Sequence, residues 1–355
     1  MKGSESMSTQ RQLKWPGAFV LAALVGWPAA AGTQETLSFN SPRLRVKSLI
    51  GEVTVEPHSG SGFEVVVDTQ GKDAREGAVV LGREEGELTI GFAGNPRNFV
   101  YPRIKGTTAI STDDGWLARL LGSGRIKVSG SGSGLELWTD VTIRVPDGGE
   151  LEVEHSVGKV VARNVDGQLE LATGSGDVTV DATRGRLAVA TGSGDVRLLS
   201  VEGGEIEVAT GSGDVDGERC RGESVDIATG SGEITLAEIE AHRIEVATGS
   251  GDVKVRHVSA DSVEVGTGSG DVTLAFDRMG GGDVSIGAGS GDIDLDFPPG
   301  IGMDVHAETR RGDVDVQVDG ADFTTREDDE VRFIVGGGGS RVRLGSGNGD
   351  IKIRG

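Results

Sequence analysis

The chain has 355 residues, 36% of them apolar and 4% aromatic, with 60 glycines and one cysteine. The apolar share excludes a disordered chain and a lone Cys220 excludes an internal disulfide framework, while abundant glycine points to turns joining aliphatic strands. A formal net charge of −21 argues against nucleic acid and anionic membrane surfaces as partners, because both repel a polyanion.

Residues 1–31 read as a secretory signal peptide. Lys2, Arg11 and Lys14 precede an apolar run from Pro16 to Trp27, and Pro28-Ala29-Ala30-Ala31-Gly32 follows. Basic start, apolar middle and small-residue cleavage pattern come in that order, so cleavage is expected near Ala31. The run is short for a transmembrane span, and no second one follows. The expected product is exported, periplasmic or extracellular, without membrane insertion.

Residues 36–93 alternate apolar and polar over Leu44–Val46, Val53–Val55, Phe63–Val67 and Leu88–Phe92, with Gly, Ser and Pro between. They are expected to form an N-terminal β cap or degenerate early coils. Gly51-Glu52-Val53 already has the shape of a step that recurs later. Residues 94–134 break the pattern and are expected as a flexible insertion loop with a short helical piece near Trp116–Leu121. Six cations and two acids fall in this stretch, together with the sole tyrosine, Tyr101. A basic, aromatic interruption of an acidic chain is the expected contact site, with Tyr101, Arg103, Lys105, Trp116 and Arg119 as its residues.

Residues 135–355 form the repeat domain. The phrase ATGSGDV, with small variations, ends at Val178, Val196, Val215, Ile234, Val253, Val272 and Ile293, at intervals of 18 to 21 residues. A period that short marks a solenoid with one coil per repeat. Apolar pairs align on a strand before each phrase, from Leu169/Leu171 to Val263/Val265, Val284/Ile286 and Met303/Val305. A second set follows it, from Val178/Val180 to Val314/Val316, and Val201, Cys220, Ile239 and Val258 make a third column. Stacked about 4.8 Å apart, such columns become ladders inside a narrow core. The expected fold is all-β: a parallel β-helix or β-solenoid with coils of 18 to 21 residues and an irregular N-terminal cap. Gly347-Asn-Gly-Asp-Ile351 is expected to return the chain end to the stack.

The glycines of GSGD supply the positive φ angles of a sharp corner, and Ser and Asp can bond freed backbone groups. The alternative is calcium. Asp177, Asp195, Asp214, Glu233, Asp252, Asp271 and Asp292, followed by Asp313, would stack as a file of carboxylates, and a hard cation would relieve their repulsion. Glu170, Glu207, Asp226, Glu245, Glu264 and Asp304 form a partial second file. The Thr column from Thr173 to Thr267 is expected to satisfy neighbouring coils through its hydroxyls. Cys220 lies in an aliphatic column, the five histidines share no ligand spacing, and no nucleophile elbow is present.

Several stretches resemble the bacterial putative-adhesin family of exported β-strand-repeat proteins, a domain of unknown function. They are Gly51–Val55, Val141–Pro146, Leu151–Val160 and the serial TGSGDV phrases, and the likeness spans residues 36–355 apart from 94–134. It implies a β-helical, envelope-associated protein and brings no catalytic or binding residues. The expected function is an exported, non-enzymatic adhesin-like or structural protein whose partner is an envelope protein or a surface glycan, without a cofactor. A calcium-binding solenoid is the alternative, and a carbohydrate-active enzyme on a β-helix comes third.

Overall fold

The computed structural model describes residues 27–28, 34–112 and 115–355. The signal peptide expected over 1–31 lies outside them, save for the backbone of residues 27–28. Described strands join into one 27-stranded hydrogen-bonded system and a separate three-stranded sheet. The large system is a parallel β-solenoid.

Each coil has a strand before the glycine corner and a strand after it. The first ladder carries Leu44, Leu151, Leu169, Leu187, Ile206, Val225, Ile244 and Val263 in direct register. The second carries Val53, Val160, Val178, Val196, Val215, Ile234, Val253 and Val272. Alternation sends these side chains inward, and all of them are buried. The third column also holds: Cys220, Ile239 and Val258 pair in sequence and end on Phe276. One coil has Gly217 where its neighbours have leucine, and the Leu236 Cδ2 methyl occupies the space its side chain would need.

Between the second strand and the third column the chain turns at Asn164, Ala182, Ser200, Arg219, Glu238 and His257, with φ between 51° and 57°. Six successive coils therefore make this turn in the left-handed region without a glycine. The residue after each column member then forms a further stack: Asp166, Arg184, Glu202 and Arg221 are bridged in order, and Arg221 pairs in register with Glu240. Charges alternate along it, with Arg184–Glu202 at 3.2 Å and Arg221–Glu240 at 3.3 Å.

Spatial order departs from chain order at both ends. Residues 43–58 form a complete coil whose strands pair with Gly149–Val157 and Val160–Arg163. Beyond it each ladder gains one more parallel strand, Glu87–Phe92 on the first and Trp138–Pro146 on the second. The stack is then closed by antiparallel strands: Val79–Glu84 on the first ladder, Phe63–Gln70 and then Gln34–Phe39 on the second. Antiparallel capping suits an end strand, which otherwise presents unpaired amides and carbonyls to other chains. At the far end the last coil of the chain is not the last of the stack. Ser340–Ser346 and Ile351–Arg354 lie between the coil at Val284–Asp296 and the coil at Met303–Gln317.

That insertion corrects one register. Val342 pairs with both Val284 and Val305, so the apolar pair of the Met303–Thr309 strand is Val305/Ala307 rather than Met303/Val305. Met303 faces Ser340 instead.

Residues 94–134, expected as a loop, carry regular structure. Asn98–Val100 runs parallel to Arg125–Ser129, which pairs antiparallel with Thr107–Ser111, and a helix spans Gly115–Leu121. Ile126 and Val128 alternate inward at 0% exposure and give this small sheet an apolar side that packs into the common core.

Candidate functional site: the corner file and the basic platform

The repeated phrase stacks coil on coil through its glycines, its threonine and its aspartate. Its second glycine takes a φ of 141° to 157° at Gly176, Gly194, Gly213, Gly232, Gly251, Gly270 and Gly291. A Cβ on Gly194 would lie 2.2 Å from the Gly176 carbonyl oxygen, so conformation and close stacking both demand glycine. The threonine before it points inward, and from Thr191 to Thr267 its hydroxyl donates to a glycine carbonyl of the preceding coil, whereas the buried Thr173 hydroxyl makes no such bond. Thr191 bonds Gly176 at 3.3 Å, Thr229 bonds Gly213 at 3.2 Å and Thr267 bonds Gly251 at 3.0 Å.

The carboxylates stack as one file, as the register requires. Each Asp Oδ1 accepts the backbone N–H of the next residue in the file: Asp177 from Asp195 at 3.1 Å, Asp195 from Asp214 at 3.0 Å, Asp214 from Glu233 at 2.8 Å. Asp252 and Asp271 continue to Asp292. The file then passes through Asp350, which was not among the expected members, before it reaches Asp313. Glu233 is the exception. Its longer side chain meets the Lys254 ammonium at 2.7 Å and the Thr235 hydroxyl at 3.1 Å, and chiefly the Lys254 bond holds its carboxyl below the usual range. Among the described residues no group of three or more His, Cys, Asp or Glu side chains is gathered as a metal site would need.

The second acidic file is shorter than expected. Glu207, Asp226, Glu245 and Glu264 stack directly, Ala188 interrupts them before Glu170, and Asp304 pairs in register with Arg341 outside the file. Burial raises the Glu170 and Asp226 carboxyls, and neighbouring carboxylates add to that.

The expected contact residues separate into two groups. Tyr101 is 1% exposed and packs 5.5 Å from the Trp138 ring, so it faces the core rather than a partner. Burial, the largest cause, pushes its hydroxyl up to about 12. Arg103 is tied bidentately to Asp140 at 3.0 and 2.9 Å and approaches Glu52 at 3.3 Å, which anchors the insertion to the first coils. Trp116 is half-buried against the core. Lys105 and Arg119 are exposed, and so are Arg125 and Lys127, two more of the six cations in residues 94–134. Arg125 and Lys127 alternate with the buried Ile126 and Val128 and therefore share the outer side of the small sheet. A basic platform thus stands on an acidic solenoid. Arg97 braces it, its guanidinium donating to Thr112 Oγ1 at 3.0 Å and to the Gly122 carbonyl at 3.2 Å.

Cys220 is buried, and burial pushes its thiol up to about 11, which keeps it protonated and unreactive. His242 and His257 are exposed and each faces one aspartate, Asp261 at 2.7 Å and Asp277 at 3.2 Å.

A glycine-cornered parallel solenoid with a capped N-terminal end is the class of protein these features define. The chain belongs to the Toastrack DUF4097 family, whose model matches residues 136–354. The coil at residues 43–58 and the insertion lie outside the matched region, yet that coil stacks in the same ladders. A solved structure of a putative cell adhesion protein from Clostridium sporogenes aligns with 92% of this chain and 99% of its own at 13% identity and a TM-score of 0.21, a likeness too slight to carry an argument. No curated protein matches the chain. Among the described residues no helix is long and apolar enough to cross a membrane.

Proposed function

We propose that the chain is an exported, non-enzymatic interaction protein of the bacterial cell envelope, with the solenoid as a scaffold and the basic platform as its contact. One observation carries this reading: Arg125 and Lys127 are displayed on an ordered sheet, with Lys105 exposed in the connection that leads into its Thr107–Ser111 strand, and Arg103 clamps that connection to Asp140, on a chain of net charge −21. Opposite charge on a rigid support favours capture of an anionic partner, which in an envelope is an acidic surface glycan or the acidic face of another protein. The corner groups support a scaffold role, because their hydrogen bonds run to neighbouring coils. On this reading the protein needs no cofactor, and the carboxylate file needs no calcium.

Charge reversal is a cleaner test than deletion of 94–134, since Phe99, Tyr101, Ile126 and Val128 belong to the core. A variant carrying Lys105→Glu, Arg125→Glu and Lys127→Glu should keep the fold and lose the envelope components that the parent chain captures from extract. Capture of the same components by both proteins would overturn the assignment of the platform.

A further inference from the structure

We propose that the slot between the Val284–Asp296 coil and the Met303–Gln317 coil accepts the Ser340–Arg354 coil of a second copy, so that two chains can join by reciprocal insertion of their ends. Three observations converge on this slot.

The first is order. The two coils that form the slot are consecutive in the chain, yet they do not touch as a ladder, because the last coil stands between them in both strands. The gap is filled by a segment that reaches it only through its own tether. The second is the tether. Gly336, Gly337, Gly338 and Gly339 carry φ of 62°, 81°, 85° and 155°, and they pass around Gly302, where a Cβ would lie 2.3 Å from the Gly338 carbonyl oxygen. Four glycines in a row make a flexible link whose direction can change at little conformational cost.

The third is charge, which makes the slot selective for this coil. Arg341 binds Asp283 through two contacts of 3.0 and 3.1 Å and pairs in register with Asp304 on its other side. Lys352 lies in register between Asp294 and Asp315. Arg354 reaches Asp296 at 2.6 Å. A basic coil thus sits between two acidic ones, and the corner file continues through it, with Asp350 N–H on Asp292 at 2.8 Å and Asp313 N–H on Asp350 at 3.0 Å. Every one of these bonds can be made equally by the same coil of another chain. Only the effective concentration set by the glycine tether favours the chain's own end.

Ser285 and Arg343 are exposed register partners across the slot, which gives a direct test with full-length chains. Chains carrying Ser285→Cys and chains carrying Arg343→Cys are unfolded together, refolded at rising concentration and treated with a short thiol cross-linker; Cys220 is buried and stays silent. The expected product is a dimer containing one chain of each kind, in excess over either like pair and growing with concentration. A chain carrying both substitutions should close on itself when dilute. Monomers only, or unlike and like pairs in equal proportion, would overturn the proposal. As a second measurement, deletion of Gly337 and Gly338 shortens the tether and should shift the folded protein to dimer mass at low concentration. A shortened chain that stays monomeric with its parent's unfolding midpoint would overturn it as well.

Discussion

At Gly194 and Ala182, 12 residues apart in one coil, the chain makes two turns with opposite demands on the side chain. At Gly194 a Cβ would meet the Gly176 carbonyl oxygen at 2.2 Å, backbone that cannot move aside, so Gly194→Ala should cost at least about 3 kcal/mol in denaturant unfolding. At Ala182 the φ of 51° is held by a residue that pays for its Cβ. Ala182→Gly should therefore stabilise the protein by about 0.5–1 kcal/mol, the relief of left-handed strain exceeding the added freedom of the unfolded chain. His155 gives a pH dependence. It stands in the interior column that holds threonine in the next coil, its Nε2 lies 3.0 Å from the Gly51 carbonyl oxygen, and burial lowers its pKa from 6.5 to about 4. The unfolded chain takes up this proton first as the solution is acidified. His155 thus contributes fully above about pH 6.5, and its share falls by about 1.4 kcal/mol per unit toward pH 4, roughly 3 kcal/mol in all. His155→Thr should flatten the urea midpoint across that range, and an equally steep profile in the variant would remove His155 as its source.

At the scale of strands and corners, legibility in the sequence followed whether a feature repeats as residue type. The GSGD corner needs glycine for both angle and spacing, so its phrase recurs and the two ladders could be read directly. The left-handed turn is filled by Asn, Ala, Ser, Arg, Glu and His, and no residue type reports it. The alternating stack from Asp166 to Glu240 lay within reach, since each member follows the third apolar column by one residue, but it shows only when coils are aligned and charge is compared at fixed offset. The basic platform was half legible. Its cations stood out, whereas the strands that order them are five residues or fewer, too short for periodicity to announce. Register at the last coils was hidden because an inserted coil comes from far along the chain. Arg341 tests that element. Arg341→Asp would set three carboxylates in line with Asp283 and Asp304, and the expected loss is about 1 kcal/mol, as suits an exposed pair. Amide exchange should quicken in 340–354 before it does elsewhere.

Over the whole molecule, one narrow core runs from the antiparallel strands at the N-terminal end to the Met303–Gln317 coil and the antiparallel Glu330–Val335 strand that pairs with it at the other. Stability of such a stack is shared between neighbouring coils, so the bonds that link coil to coil set its cooperativity. The backbone ladders link every pair of coils, and the corner adds side-chain bonds to them, the Thr-to-glycine carbonyl and Asp-to-amide contacts that recur from coil to coil. The same carboxylates are the ones a calcium ladder would use. Thermal unfolding of the chain in EDTA and in millimolar calcium separates the two roles, because an ion held only by the native stack must raise its midpoint. If the file consists of stacking bonds, the two midpoints coincide. A midpoint that climbs with calcium concentration would contradict that role and make the corner an ion site.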